Sequence, residues 1–193
     1  MTLETFNFIL IIVLAYLIGN ISPSILISKA RGVDIHKEGS GNPGTTNMLR
    51  VMGKKAAAVT LSIDILKGVA AVILGRFTGG EGLAVLCGLA VFIGHIWPVF
   101  FRFKGGKGIA TGFGMLVTLS PVMGLICLGI AALGFLISRR VSVGSIGAVL
   151  VLPFVAYHYF PTYIEIFIIM GAIVLWKHRS NIKRLLKGEE PKT

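Results

Sequence analysis

Four stretches of this chain, residues 6–28, 56–100, 109–137 and 141–176, are apolar over lengths comparable to, or about twice, the roughly 20 residues that a membrane-spanning helix requires. None alternates with period two, so they read as helices and not as barrel strands. Composition agrees, with 54% hydrophobic against 14% charged residues, far from an ordinary soluble domain. The expected class is an all-α polytopic membrane protein, a single domain over residues 1–193 with short connections. The first run is preceded by Glu4, not by basic residues, and has no small-x-small cleavage site. It therefore reads as a retained helix, not a secretion signal. Ser22-Pro23 within it should loosen or kink that helix.

Lysine and arginine gather in four places: residues 29–55, residues 102–107, Arg139-Arg140, and the tail from Lys177 onward. Short connections rich in these residues stay on the cytoplasmic side. Placing all four inside requires an even number of crossings between successive clusters. Residues 56–100 then divide at the turn from Arg76 to Glu81, residues 109–137 at Ser120-Pro121, and residues 141–176 between His158 and Pro161. With the first run this predicts seven transmembrane helices, N-terminus outside and C-terminus cytoplasmic. A five-helix alternative treats residues 109–137 as one tilted or partly re-entrant segment, because two full spans would want about 40 residues.

The net charge of +11 suits a surface facing anionic lipid. No soluble basic face or recognition module accompanies it, so nucleic acid is not an expected partner. Cys87 and Cys127 lie in apolar runs without metal-ligand spacing and read as core thiols.

The longest connection, expected on the cytoplasmic face, contains Gly39-Ser40-Gly41-Asn42-Pro43-Gly44-Thr45-Thr46-Asn47 and then Arg50. It satisfies GxGxxG on paper, but no strand precedes it, and no lysine follows as a Walker loop would need. What remains is its chemistry. Glycines let backbone N–H groups approach an anion, Ser40, Thr45 and Thr46 add hydroxyls, and Arg50 adds a planar bidentate cation. A second such element is Lys104-Gly105-Gly106-Lys107-Gly108-Ile109, where two lysines bracket a glycine pair ahead of a new helix whose first amides suit a phosphate. In the tail, His178, Asn181, Ile182 and Leu185 fall on one face of a continuing helix.

Asp64 and Lys67, three apart, can pair on one helix face and read as structural support, since a lone charge there would be costly. His95 either lines a pocket or bonds to a neighbouring helix. Asn20, His158 and Glu165 fall toward the outer half and carry no assigned chemistry.

Three of these elements, Gly39 to Asn47 with Arg50, Gly94-His95 through Pro98 to Phe103-Lys104 and on to Thr111, and His178 with Asn181, Arg184 and Gly188-Glu189, together resemble the motifs of the bacterial integral-membrane acyl-phosphate:glycerol-3-phosphate acyltransferases, the PlsY family. They span almost the whole chain in the family's order, with no departure at a motif position. The resemblance implies transfer of a fatty acyl group from acyl phosphate to the 1-hydroxyl of glycerol 3-phosphate, giving lysophosphatidic acid and inorganic phosphate. It implies an active site at the cytoplasmic face of the bacterial inner membrane, membrane lipid as surroundings, no cofactor, no metal and a monomer. No histidine is followed four residues later by Asp in HxxxxD fashion, which agrees with a donor other than a soluble thioester.

For that reaction, Lys104, Gly105, Gly106 and Lys107 are expected at the glycerol phosphate, and Ser40, Thr46, Asn47 and Arg50 at the acyl phosphate and the developing oxyanion. Gly41, Asn42 and Gly108 are further expected substrate-binding residues. Ser40, Arg50, His178 and Asn181 are the expected catalytic residues, with either His178 or a substrate phosphate as base. Glu189 is expected to brace the loops, alongside Asp64, Lys67 and His95. A transporter of a phosphorylated anion is the competing reading; it would carry polar groups to both faces or to the midplane.

Overall fold

The computed structural model describes residues 2–192. Every regular element among them is helical, and the chain divides into two compact units, one up to Leu119 and one from Ser120 onward.

The first unit begins with α1 (Leu3–Gly19), capped by Thr2, whose hydroxyl accepts from the Thr5 amide. It ends where the sequence predicts a kink: α2 (Pro23–Ala30) starts on proline, and the two helices are bent by 41°. The third helix, α3 (Thr45–Ile96), would be about 78 Å long if straight, but its backbone leaves helical geometry at Gly53, Gly79 and Gly80. At Gly79-Gly80 the chain doubles back, bringing Leu83 and Ala84 against Gly75. Gly80 has φ of 72°, which a side chain would strain. The two limbs, 54–78 and 81–96, therefore lie side by side. The short α4 (Ile109–Leu119) packs on the first limb, Gly114 against the Ile65 carbonyl and Gly68 against that of Thr111. Such contacts let backbones approach as closely as helices in lipid require. A core of Ala15, Ala71, Leu83, Cys87, Ala90 and Val91 joins α1 to both limbs of α3.

The second unit holds α5 (Pro121–Ser138), capped by Ser120, then α6 (Val141–Tyr159), α7 (Ile164–Lys177) and the basic α8 (Arg179–Leu186). Gly134 and Gly144 make the close contact between α5 and α6.

The breaks at Ser22-Pro23, Gly79-Gly80, Ser120-Pro121 and Phe160-Pro161 all fall where the sequence places them. Among the described residues, three helical segments are long and apolar enough to cross a bilayer, with a fourth if α1 and α2 form one broken span. At 11 residues, α4 reaches only about 17 Å, short of the hydrocarbon core by itself. Large apolar side chains such as Phe77 and Phe154 stand 87% and 77% exposed, a surface that lipid satisfies and water does not.

Candidate active site

In the first unit the glycine-rich connection is folded by one side chain. Asn47, 1% exposed, accepts from the Ser40 amide at 2.8 Å and donates to the carbonyls of Glu38 at 3.0 Å and Ile35 at 3.4 Å. Its amide is thus committed to the loop's own backbone, and its part is to shape the loop. Gly39 and Gly41, with φ of 57° and 69°, turn the backbone around it. Ser40 and Arg50 stay exposed, while Gly41, Asn42 and Thr46 are half-buried. Gly44 provides no side-chain cap for α3, so the first-turn amides suit an anion.

The second connection, residues 97–108, is sewn to the end of α3. The amide of Gly105 donates to the Ile96 carbonyl and that of Gly106 to the His95 carbonyl, both at 3.2 Å. This changes the expected part of the glycine pair. Their N–H groups turn inward, and the glycines serve close approach, because a Cβ at either position would collide with His95. Donors for an anion are then the lysine side chains and the segment where α4 begins. Lys104 is exposed, Lys107 half-buried and Gly108 buried.

Both connections meet at one end of the unit. Phe101, from the second, packs on a cluster of Ile25, Ile35, Met48, Ala56 and Ala57 that holds the first. The far side of the second is tied to α1, where the Tyr16 hydroxyl donates to the Trp97 carbonyl at 2.8 Å. Asn20 accepts from the Phe100 amide at 3.4 Å and donates to the Tyr16 carbonyl. Asn20 is therefore not an idle outer-half residue. It sits at the bend between α1 and α2, where its backbone neighbour Ile21 also engages Lys67.

Asp64 and Lys67 pair as the spacing predicts, 2.7 Å apart and buried. His95 joins them, its Nδ1 2.8 Å from Lys67 Nζ and 3.3 Å from Asp64 Oδ1.

In the second unit His178, 3% exposed, sits at the junction of α7 and α8 with Nδ1 2.9 Å from the Val174 carbonyl. A carbonyl only accepts, so Nδ1 carries the proton and Nε2 of the neutral ring carries the lone pair. Asn181 donates to Glu190 Oε1 at 2.6 Å. The same carboxylate accepts from Ser142 at 2.7 Å and from Arg184 Nε at 2.7 Å, and the Glu190 carbonyl accepts from Arg140 at 2.8 Å. Burial alone would raise this carboxyl. The hydrogen bonds from Asn181, Ser142 and Arg184, with the guanidinium charge, outweigh it and hold Glu190 below the usual carboxylate range. The bracing carboxylate is thus Glu190. Glu189, expected in that part, contributes a backbone bond to the Arg184 carbonyl, and its side-chain position is exposed. Ser142 and Arg140 carried no motif signal beyond a basic pair.

Residues 9–188 match the family described as glycerol-3-phosphate acyltransferase. The chain belongs to that family. Glycerol-3-phosphate acyltransferase of Thermoanaerobacter sp. (strain X514) is 46% identical over 187 residues, covering 95% of this chain and 94% of the relative. That of Clostridioides difficile (strain 630) is 41% identical over 201 residues, covering 98% and 97%. Among solved structures, the chain is similar to the crystal structure of PlsY (YgiH), an integral membrane glycerol 3-phosphate acyltransferase, in its glycerol 3-phosphate form. The TM-score is 0.92 at 36% identity, covering 97% of this chain and 96% of that one. A form of the same protein with lysophosphatidic acid gives 0.88 at 36% identity, covering 96% and 95%. This is a membrane acyltransferase of the glycerol-3-phosphate family, as the motifs imply.

Proposed function

We propose that the protein esterifies the 1-hydroxyl of glycerol 3-phosphate with the acyl group of acyl phosphate, at the cytoplasmic face of a bacterial inner membrane. The hydroxyl oxygen attacks the acyl carbonyl, the bond from carbonyl carbon to phosphate oxygen breaks, and lysophosphatidic acid and inorganic phosphate leave. The hydroxyl proton goes to His178 Nε2 or to a substrate phosphate. Because a mixed anhydride is already activated, no covalent enzyme intermediate is required. The observation that carries this reading is the meeting of the two basic glycine connections at the Met48–Phe101 cluster. Two phosphorylated substrates repel one another, and fixed cations offset that repulsion. Lys104 and Lys107 take the glycerol phosphate. Ser40, Thr46 and Arg50 take the acyl phosphate and the oxyanion, in a loop that Asn47 shapes. The basic clusters favour seven crossings with the C-terminus inside.

The test is purified protein in lipid with labelled glycerol 3-phosphate and either donor: ester formed from acyl phosphate and not from acyl-CoA supports the reading, and the reverse overturns it. A His178→Gln variant separates the two bases. If His178 takes the proton, the low-pH limb of kcat disappears and the rate falls about 100-fold or more; unchanged activity and pH profile assign the step to a substrate phosphate.

A further inference from the structure

Three ionisable side chains are buried together inside the first unit. Asp64, Lys67 and His95 are 2%, 4% and 7% exposed. Neutralising one carboxylate needs only the lysine, so the histidine calls for a separate reason. Lys67 Nζ lies 2.7 Å from Asp64 Oδ1, 2.7 Å from the Ile21 carbonyl and 2.8 Å from His95 Nδ1. An ammonium has three N–H donors and no acceptor. The Ile21 carbonyl accepts one of them, Asp64 meets the cation as an ion pair, and a group that only donates, placed 2.8 Å from Nδ1, requires Nδ1 to present its lone pair. The 3.3 Å between Asp64 Oδ1 and Nδ1 is then the separation of two acceptors bridged by one cation. In the neutral ring the proton is consequently on Nε2, the opposite tautomer from that of His178.

The Nε2 edge is the one that faces the second connection. A Cβ on Gly106 would collide with Nε2 and lie 2.9 Å from Cε1. The backbone completes the contact from the other side, where Gly106 N–H donates to the His95 carbonyl.

We propose that Asp64, Lys67 and His95 form a positioning device for the Lys104–Lys107 loop: Lys67 sets the tautomer of His95, and His95 holds its Nε2 edge against Gly106, fixing the conformation that receives the phosphate of glycerol 3-phosphate. This rests on the loop assignment made under the proposed function. The device spans the bend after α1, both limbs of α3 and the loop, so one buried ammonium ties the membrane helices to the polar edge of the site.

Two measurements test it. In 15N-histidine-labelled wild-type protein in lipid nanodiscs, the ring whose signals vanish in His95→Asn should show an unprotonated Nδ1 and a protonated Nε2. A protonated Nδ1 overturns the proposal. Kinetically, Asn keeps an acceptor near Nδ1 and has no atom at Nε2, whereas Gln places its amide near Nε2. His95→Asn should raise KM for glycerol 3-phosphate about 10- to 100-fold, with kcat and the KM for acyl phosphate within about twofold, and His95→Gln should recover most of the loss. An unchanged KM in His95→Asn, or equal loss of kcat and both KM values in the two variants, overturns it. Wild-type protein inactive on glycerol 3-phosphate would instead defeat the functional reading and leave the tautomer result standing.

Discussion

Each unit of this molecule is organised around one buried carboxylate, and the two are satisfied in opposite ways. Asp64 lies within apolar helices and is met by an ammonium three residues along the same helix. Glu190 lies near the chain's end and gathers two neutral donors, Ser142 and Asn181, plus the partly exposed guanidinium of Arg184. The first is chiefly a charge compensation, which low dielectric makes expensive to break. The second is chiefly a hydrogen-bond hub, joining the first turn of α6 to α8.

Lys67→Met leaves Asp64 charged without its cation and should cost about 3–5 kcal/mol, read as a lowered thermal midpoint and loss of the folded fraction in detergent. Asp64→Asn combined with Lys67→Met should return most of that stability. If the double variant is as unstable as the single one, charge compensation is not what Lys67 supplies.

Glu190→Ala releases three donors at once, one of them the partly exposed guanidinium of Arg184, so about 2–3 kcal/mol is expected, measured by the same unfolding assay. Its pH dependence carries a definite sign. The carboxyl is held below its ordinary range in the folded protein, so its contribution is present above the unfolded value and is lost as pH falls through the folded one. The wild-type midpoint should fall on acidification below the ordinary carboxylate range, and Glu190→Gln should flatten that fall.

The smallest effect sharpens the contrast between neighbours. Glu189→Ala should change stability by no more than about 0.5 kcal/mol, because its visible contribution is a backbone hydrogen bond that alanine keeps. Equal effects at positions 189 and 190 would dissolve the hub.

Local chemistry was legible in the sequence and tertiary contact was not. Helix breaks were, because Pro23, Pro121 and Pro161 and the pair Gly79-Gly80 punctuate a helix through backbone chemistry that needs no tertiary context. The Asp64–Lys67 pair was, because helical spacing alone brings i and i+3 together. The part of Glu190 was not. Gly188-Glu189-Glu190 offers two equal carboxylates, and which one turns inward depends on the left-handed backbone at Gly188, with φ of 73°. The glycine pair at 105–106 was legible as a special backbone site, but the direction of its amides was not, since that follows from the carbonyls exposed at the end of α3. Asn20 escaped for a similar reason: its partner Phe100 is 80 residues away and contributes only its main chain.

The reaction proposed above is a direct displacement at an acyl carbonyl between two phosphorylated substrates. Its most direct measurement is phosphate release from acyl phosphate labelled in the phosphate group, by purified protein in lipid, counted against lysophosphatidic acid formed. Direct displacement yields one phosphate for each ester and none without glycerol 3-phosphate; ester formed without matching phosphate release would contradict it.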